Sequence, residues 1–128
     1  MSVHGSQPKS GPILVDAEVT GPVGGVVLKP VLDTGATTSL LDRAALLSLG
    51  VDPDRSAQRI AMTTGSTVEV VPLVVLTRLS ALGTHRFGFP VIAHALPASS
   101  AVDGLLGLDF LRGRVPTIDF PAGQITLS

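Results

Sequence analysis

The chain has no cysteine, no tryptophan and no tyrosine, and only four phenylalanines in 128 residues. Without cysteine it has neither disulfides nor thiolate metal sites, and a reducing, cytoplasmic setting is the expectation. Charge is also sparse. Nine Lys and Arg stand against ten Asp and Glu, giving a net charge of −1. The basic residues form no cluster, so nothing marks a nucleic-acid surface. Long apolar runs are missing too: Val70 to Leu76, the longest, contains Pro72. It falls far short of the ~18 residues that a membrane-spanning helix needs, and no membrane segment is expected in this chain. The opening residues are polar and carry no apolar stretch of the signal-peptide kind.

What remains is aliphatic and rich in turn residues. Val, Leu, Ile and Ala dominate an apolar share of 45%, accompanied by 14 glycines and 10 prolines. That mixture predicts many short strands joined by turns, and the length fits a single domain with a buried core. Residues 1–11 read as a loose tail and 12–128 as the domain. Ile13 to Thr20 predicts a strand and Gly21 to Gly25 a turn. Val26 to Asp33 then reads as a second, largely buried strand, and Thr37 to Leu41 as extended. A helix is expected from Arg43 to Leu49, with Asp42 as N-cap and Gly50 at its end. Ile60 to Thr64 and Thr67 to Leu76 flank Gly65-Ser66 as a hairpin. Arg86 to Ala95 and Val102 to Leu106 predict further strands, and Leu108 to Arg112 a short helix. A hairpin of Thr117 to Phe120 and Gln124 to Leu127 closes a mostly β domain with two short helices.

The chemistry concentrates where Val31-Leu32 ends in Asp33-Thr34-Gly35-Ala36. A carboxylate beside an apolar strand is costly unless its hydrogen bonds are supplied. Gly35 lets the backbone approach and donate its N–H, and Thr34 offers a hydroxyl for a buried bond. Peptide hydrolysis without a metal or a Ser or Cys nucleophile needs one group to deprotonate water and another to protonate the carbonyl oxygen. Two close carboxylates do both, because they share one proton. Asp-Thr-Gly by itself is also what an ordinary turn after a strand looks like. A second element lies some seventy residues on: Gly104-Leu105-Leu106-Gly107, an apolar pair closed by glycine and followed by a short helix.

The two motifs in this order, with a glycine-tipped hairpin between them, resemble the retropepsin-like aspartic peptidases, single-lobe relatives of pepsin. The resemblance runs over about residues 13–127. It implies a closed β barrel in which each chain supplies one Asp-Thr-Gly and two chains build one active site. Asp33 matches the catalytic aspartate, Thr34 the hydroxyl residue that bonds across the two-fold axis, and Gly35 a glycine whose backbone meets substrate. Ala36, Gly104, Leu105, Leu106 and Gly107 match the support of the catalytic loop. Thr63, Thr64, Gly65, Ser66 and Thr67 match the flap that closes over a bound peptide.

The chain departs from the retroviral members, many of which carry an Asp–Arg pair bracing the two motifs. Thr37 and Leu108 occupy those places, and Asp109 on the following helix reads as a cap or brace. Gly-Leu-Leu-Gly-Leu-Asp-Phe-Leu is closer to cellular and bacterial relatives. His85 and His94 have no partner at ligand spacing, so neither a metal nor a cofactor is expected. Asp16, Glu18, Asp52, Asp54 and Asp119 read as solvated charges. Two functions compete: an aspartic endopeptidase acting on peptide or protein substrates as a homodimer, and a non-catalytic dimeric module that binds peptides or serves assembly on the same scaffold.

Overall fold

A computed structural model of the chain describes residues 2–5 and 13–128. In chain order the elements are β1 (Ser2–Gly5), β2 (Ala17–Gly21), β3 (Gly24–Leu28), β4 (Val31–Leu32) and β5 (Leu40–Asp42). Helix α1 (Arg43–Ser48), a 3-10 turn (Pro53–Arg55), β6 (Gln58–Thr64), β7 (Thr67–Ala81) and β8 (Thr84–His94) follow. The chain ends with β9 (Gly104–Leu106), α2 (Leu108–Leu111), β10 (Pro116–Asp119) and β11 (Gln124–Leu127). The mostly β fold with two short helices is the one the sequence predicts.

An eight-stranded sheet runs β3-β2-β7-β8-β5-β9-β4, with β6 added to β7. Its curl is closed by backbone ahead of β2. Val15 N–H donates to Pro30 O at 3.0 Å and Leu32 N–H to Ile13 O at 2.8 Å, on either side of a Leu14–Val31 bridge. The ring leaves few unpaired edges, the usual answer of an all-β domain to exposed backbone. A smaller sheet, β1-β11-β10, lies beside it. Residues 2–5, assigned by composition to a tail, are a strand there, paired from Ser2↔Leu127 to Gly5↔Gln124. Polar sequence does not prevent a strand where a neighbour supplies the ladder bonds. The remainder of the expected tail lies outside the described residues.

Three other expectations change. The strand from Val26 to Asp33 breaks at Lys29-Pro30, because proline has no N–H for a ladder. Lys29 N–H instead donates to Asp103 Oδ2 at 2.8 Å. The first half, β3, is an edge strand, so Val26 and Val27 are 40% and 55% exposed rather than buried. Asp42 precedes α1 in an extended conformation but does not cap it; its Oδ1 accepts the Leu96 N–H at 3.1 Å. Helix α1 is held by Leu46, which is fully buried. Residues 37–38 bend, so the extended stretch expected from Thr37 begins only at Leu40.

The long strand β7 serves two apolar clusters through the alternation of its faces. Val74 and Leu76 enter the main core with Leu41, Leu106 and Phe110. Val71 and Leu73, on the other face, pack with Leu40, Ile60, Met62, Ile92 and Leu105 in a second cluster. That second cluster underlies the site. Strands β6 and β7 meet at Thr64↔Thr67 around Gly65-Ser66, giving the expected hairpin with a two-residue turn.

Candidate active site

Asp33 follows directly on β4, and its own N–H donates to Leu106 O of β9 at 2.9 Å. Strands β4 and β9 are parallel, Val31 opposite Leu105 and Leu32 opposite Leu106, so the second motif forms the wall against which the first is built. After Asp33 the chain turns tightly, Ala36 N–H reaching Asp33 O at 3.2 Å. The turn brings Gly35 N–H to 2.9 Å from Asp33 Oδ1. This backbone donor to a carboxylate is a charge-assisted bond and fixes the direction of the side chain.

The loop is then stitched to α2. Leu108 N–H donates to Ala36 O at 2.8 Å and Asp109 N–H to Thr37 O at 3.2 Å. Both contacts need the two backbones in close approach. A Cβ on Gly107 would lie 2.6 Å from Ala36 O, nearer than real Cβ atoms come to a neighbouring atom. A Cβ on Gly104, at φ +154°, would come closer still to the Leu40 carbonyl oxygen of β5. Gly107 is therefore dictated by contact with the first motif and Gly104 by contact with β5.

Asp109 is the brace that replaces an Asp–Arg pair. Its carboxylate accepts Ser39 N–H at 3.0 Å and Ser39 Oγ–H at 2.6 Å, and Ser39 Oγ accepts Gly107 N–H at 2.9 Å. Thr37 and Leu108 take no part in such a pair, and Leu108 is 44% exposed. Fully buried Phe110 anchors the helix that carries Asp109 and meets Phe89 edge-to-face at 5.9 Å. Arg86 adds to the anchor, donating to Phe110 O and Arg112 O at the end of α2.

Above Asp33 lies a cleft of about 580 Å³. Its walls include Leu40, Ile60, Met62, Ile92 and Leu105, and Gly35, Ala36 and Thr63 also line it. The floor is thus the first motif, the back wall the second, and the roof the β6 side of the hairpin. Gly65, Ser66 and Thr67 are exposed at the hairpin tip. Thr34 is exposed too, so within one chain its hydroxyl does not make the buried bond expected of it. His94 lines the cleft, which no spacing in the sequence signals, because β8 delivers it there only through the sheet. His85 lies elsewhere, with Nδ1 2.7 Å from Ser80 Oγ. Among the described residues no group of three or more His, Asp or Glu is placed to hold a metal. Among them Asp33 is also the one carboxylate lining the cleft.

Comparison with known proteins agrees with this geometry. No curated protein matches the sequence. Among solved structures, a retropepsin-like aspartic protease from Rickettsia conorii superimposes with a TM-score of 0.71 at 19% identity, covering 98% of this chain and 90% of that one. The retroviral protease-like domain of Ddi1 from Leishmania major gives 0.55 at 18% identity, covering 94% and 92%. Both likenesses show the retropepsin-like fold. No helix among the described residues is long and apolar enough to cross a membrane. Residues 19–110, which carry both motifs and the hairpin between them, match the aspartyl protease family, and the chain belongs to that family.

Proposed function

We propose that the protein is an aspartic endopeptidase that works as a homodimer. The observation that carries this reading is Asp33, the single carboxylate among the described residues that line the cleft, on a floor faced by aliphatic walls. General acid–base hydrolysis requires a second acid. Asp109 does not supply it, because Ser39 and the Phe110 N–H occupy its oxygens. A second copy does.

In the dimer the two Asp33 carboxylates share one proton and hold a water between them. The ionised one takes a proton from the water as its oxygen attacks the peptide carbonyl carbon. The protonated one gives its proton to the carbonyl oxygen, producing a tetrahedral gem-diol. Return of a proton to the amide nitrogen breaks the C–N bond and releases acid and amine. Leu40, Ile60, Met62, Ile92 and Leu105 favour aliphatic or aromatic side chains beside the scissile bond. Closure of the hairpin tipped by Gly65-Ser66 excludes water and strengthens the polar contacts inside.

Asp33→Asn is the direct test. The amide oxygen still accepts the Gly35 N–H, so the variant is expected to fold with near-unchanged stability and to lose peptide cleavage. Mixed in equal amounts with wild type and allowed to exchange, it should leave about a quarter of the dimers with both carboxylates, and the activity should fall to that level. Activity proportional to the wild-type chain alone would show a complete site in each chain. A wild-type protein that binds peptides but cleaves none at any pH from about 3 to 8, a range spanning ordinary carboxylate and histidine titration, would instead be a binding or assembly module.

A further inference from the structure

One end of the cleft is not apolar. His94 closes β8 and lines the cavity. Glu69 of β7 stands directly opposite cleft-lining Met62 in the antiparallel hairpin, so its side chain lies on the same face. The two meet with His94 Nε2 3.5 Å from Glu69 Oε2, their side chains 30% and 56% exposed. Asp42 is beside His94 in register, its Oδ1 engaged by Leu96 N–H. Among the described residues no Lys or Arg lines the cavity.

The hydrogen-bond roles of the pair are fixed by a third atom. His94 Nδ1 lies 3.0 Å from Ala95 O. A carbonyl oxygen only accepts, so Nδ1 carries the proton in that bond. In the neutral ring Nε2 is then a lone pair, and it faces a carboxylate oxygen that is also an acceptor. Two acceptors side by side leave room for a shared donor, and a cationic one also balances the charge of the Glu69 carboxylate. In the occupied cleft a cationic side chain of the ligand supplies it.

We propose that Glu69 and His94 form a subsite that selects a Lys or Arg side chain of the bound peptide, displaced from the scissile bond. Asp33 on the floor and Asp42 beside the histidine are two further carboxylates that reinforce the preference. The inference rests on the endopeptidase reading for its substrate class. In a symmetric dimer the pair occurs twice, and the preference is expected at matching positions on both sides of the cleaved bond.

The test uses fluorescein-labelled peptides with a central Leu–Phe bond, in which one flanking position at a time carries Lys, Met or Glu. Binding is read by anisotropy on the Asp33→Asn protein, and cleavage on the wild type. At one position on each side the Lys peptide is expected to bind about tenfold more tightly than the Met peptide, with Glu the weakest. Glu69→Gln, introduced into the Asp33→Asn protein, should bring the Lys-to-Met ratio close to one. The ratio is internal to each variant and does not depend on how much of it folds. Equal binding of Lys and Met peptides, a ratio unmoved by Glu69→Gln, or no binding of any peptide overturns the subsite. Lys-selective binding without cleavage by the wild type leaves the subsite standing and overturns the endopeptidase reading.

Discussion

Asp109 holds Ser39, seventy residues earlier, through its backbone N–H at 3.0 Å and its hydroxyl at 2.6 Å. Ser39 Oγ at the same time accepts Gly107 N–H at 2.9 Å and is fully buried. The pair fastens the loop that begins at Asp33 to the helix behind the second motif. It makes an ion pair between the motifs unnecessary, because a carboxylate with backbone and hydroxyl donors is satisfied without a cation. Ser39→Ala removes one donor to Asp109 and leaves the buried Gly107 N–H without its acceptor. A loss of about 1–3 kcal/mol is expected for a buried group orphaned in this way. Urea unfolding at fixed protein concentration measures it; an unchanged midpoint would show that the loop is held elsewhere.

Gly107→Ala tests the close approach of the motifs. Its Cβ would meet Ala36 O at 2.6 Å, and the obstacle is backbone rather than a movable side chain. The loop from Asp33 to Ala36 has to shift, at a cost of about 1–3 kcal/mol typical of overpacking. Peptide cleavage should fall further than stability, since small displacements of reacting groups cost about a hundredfold in rate. Paired measurement of kcat/KM and unfolding free energy decides it.

Arg86 donates to Phe110 O at 2.8 and 3.2 Å, bonds Arg112 O as well, and has its guanidinium 5.8 Å from the Phe110 ring centroid. Arg86→Ala strips the last carbonyls of α2 of their donors. Destabilisation of about 1.5–3 kcal/mol is expected for lost charged hydrogen bonds. Arg86→Lys should recover little of it, because an ammonium cannot fork between two carbonyls and cover the ring. Full recovery by Lys would reduce the interaction to charge alone.

Much of the site was legible along the chain because it is made of short local signals. A carboxylate at a strand end followed by Thr-Gly predicted the turn that places Gly35 N–H against Asp33 Oδ1. Gly65-Ser66 predicted the hairpin, and the apolar pair of Leu105 and Leu106 predicted a strand. What misled were residues whose local preference a distant partner overrides. Asp42 has the chemistry of an N-cap but gives its oxygen to Leu96. Val26 and Val27 look like core but lie on an edge strand. Residues 2–5 look like tail but find the free edge of β11.

The sequence by itself therefore determined the turn chemistry, the hairpin around Gly65-Ser66 and the identity of the one acid on the cleft floor. Those depend on dihedral preference and on short local motifs, which neighbours in sequence can express. Tertiary structure decided what Asp109 does, why Gly104 and Gly107 admit no side chain, and that His94 lines the cleft with Asp33 and meets Glu69 at its end. Each is a contact between strands or helices far apart in the chain, fixed by the register of the sheet, and no local pattern encodes that register.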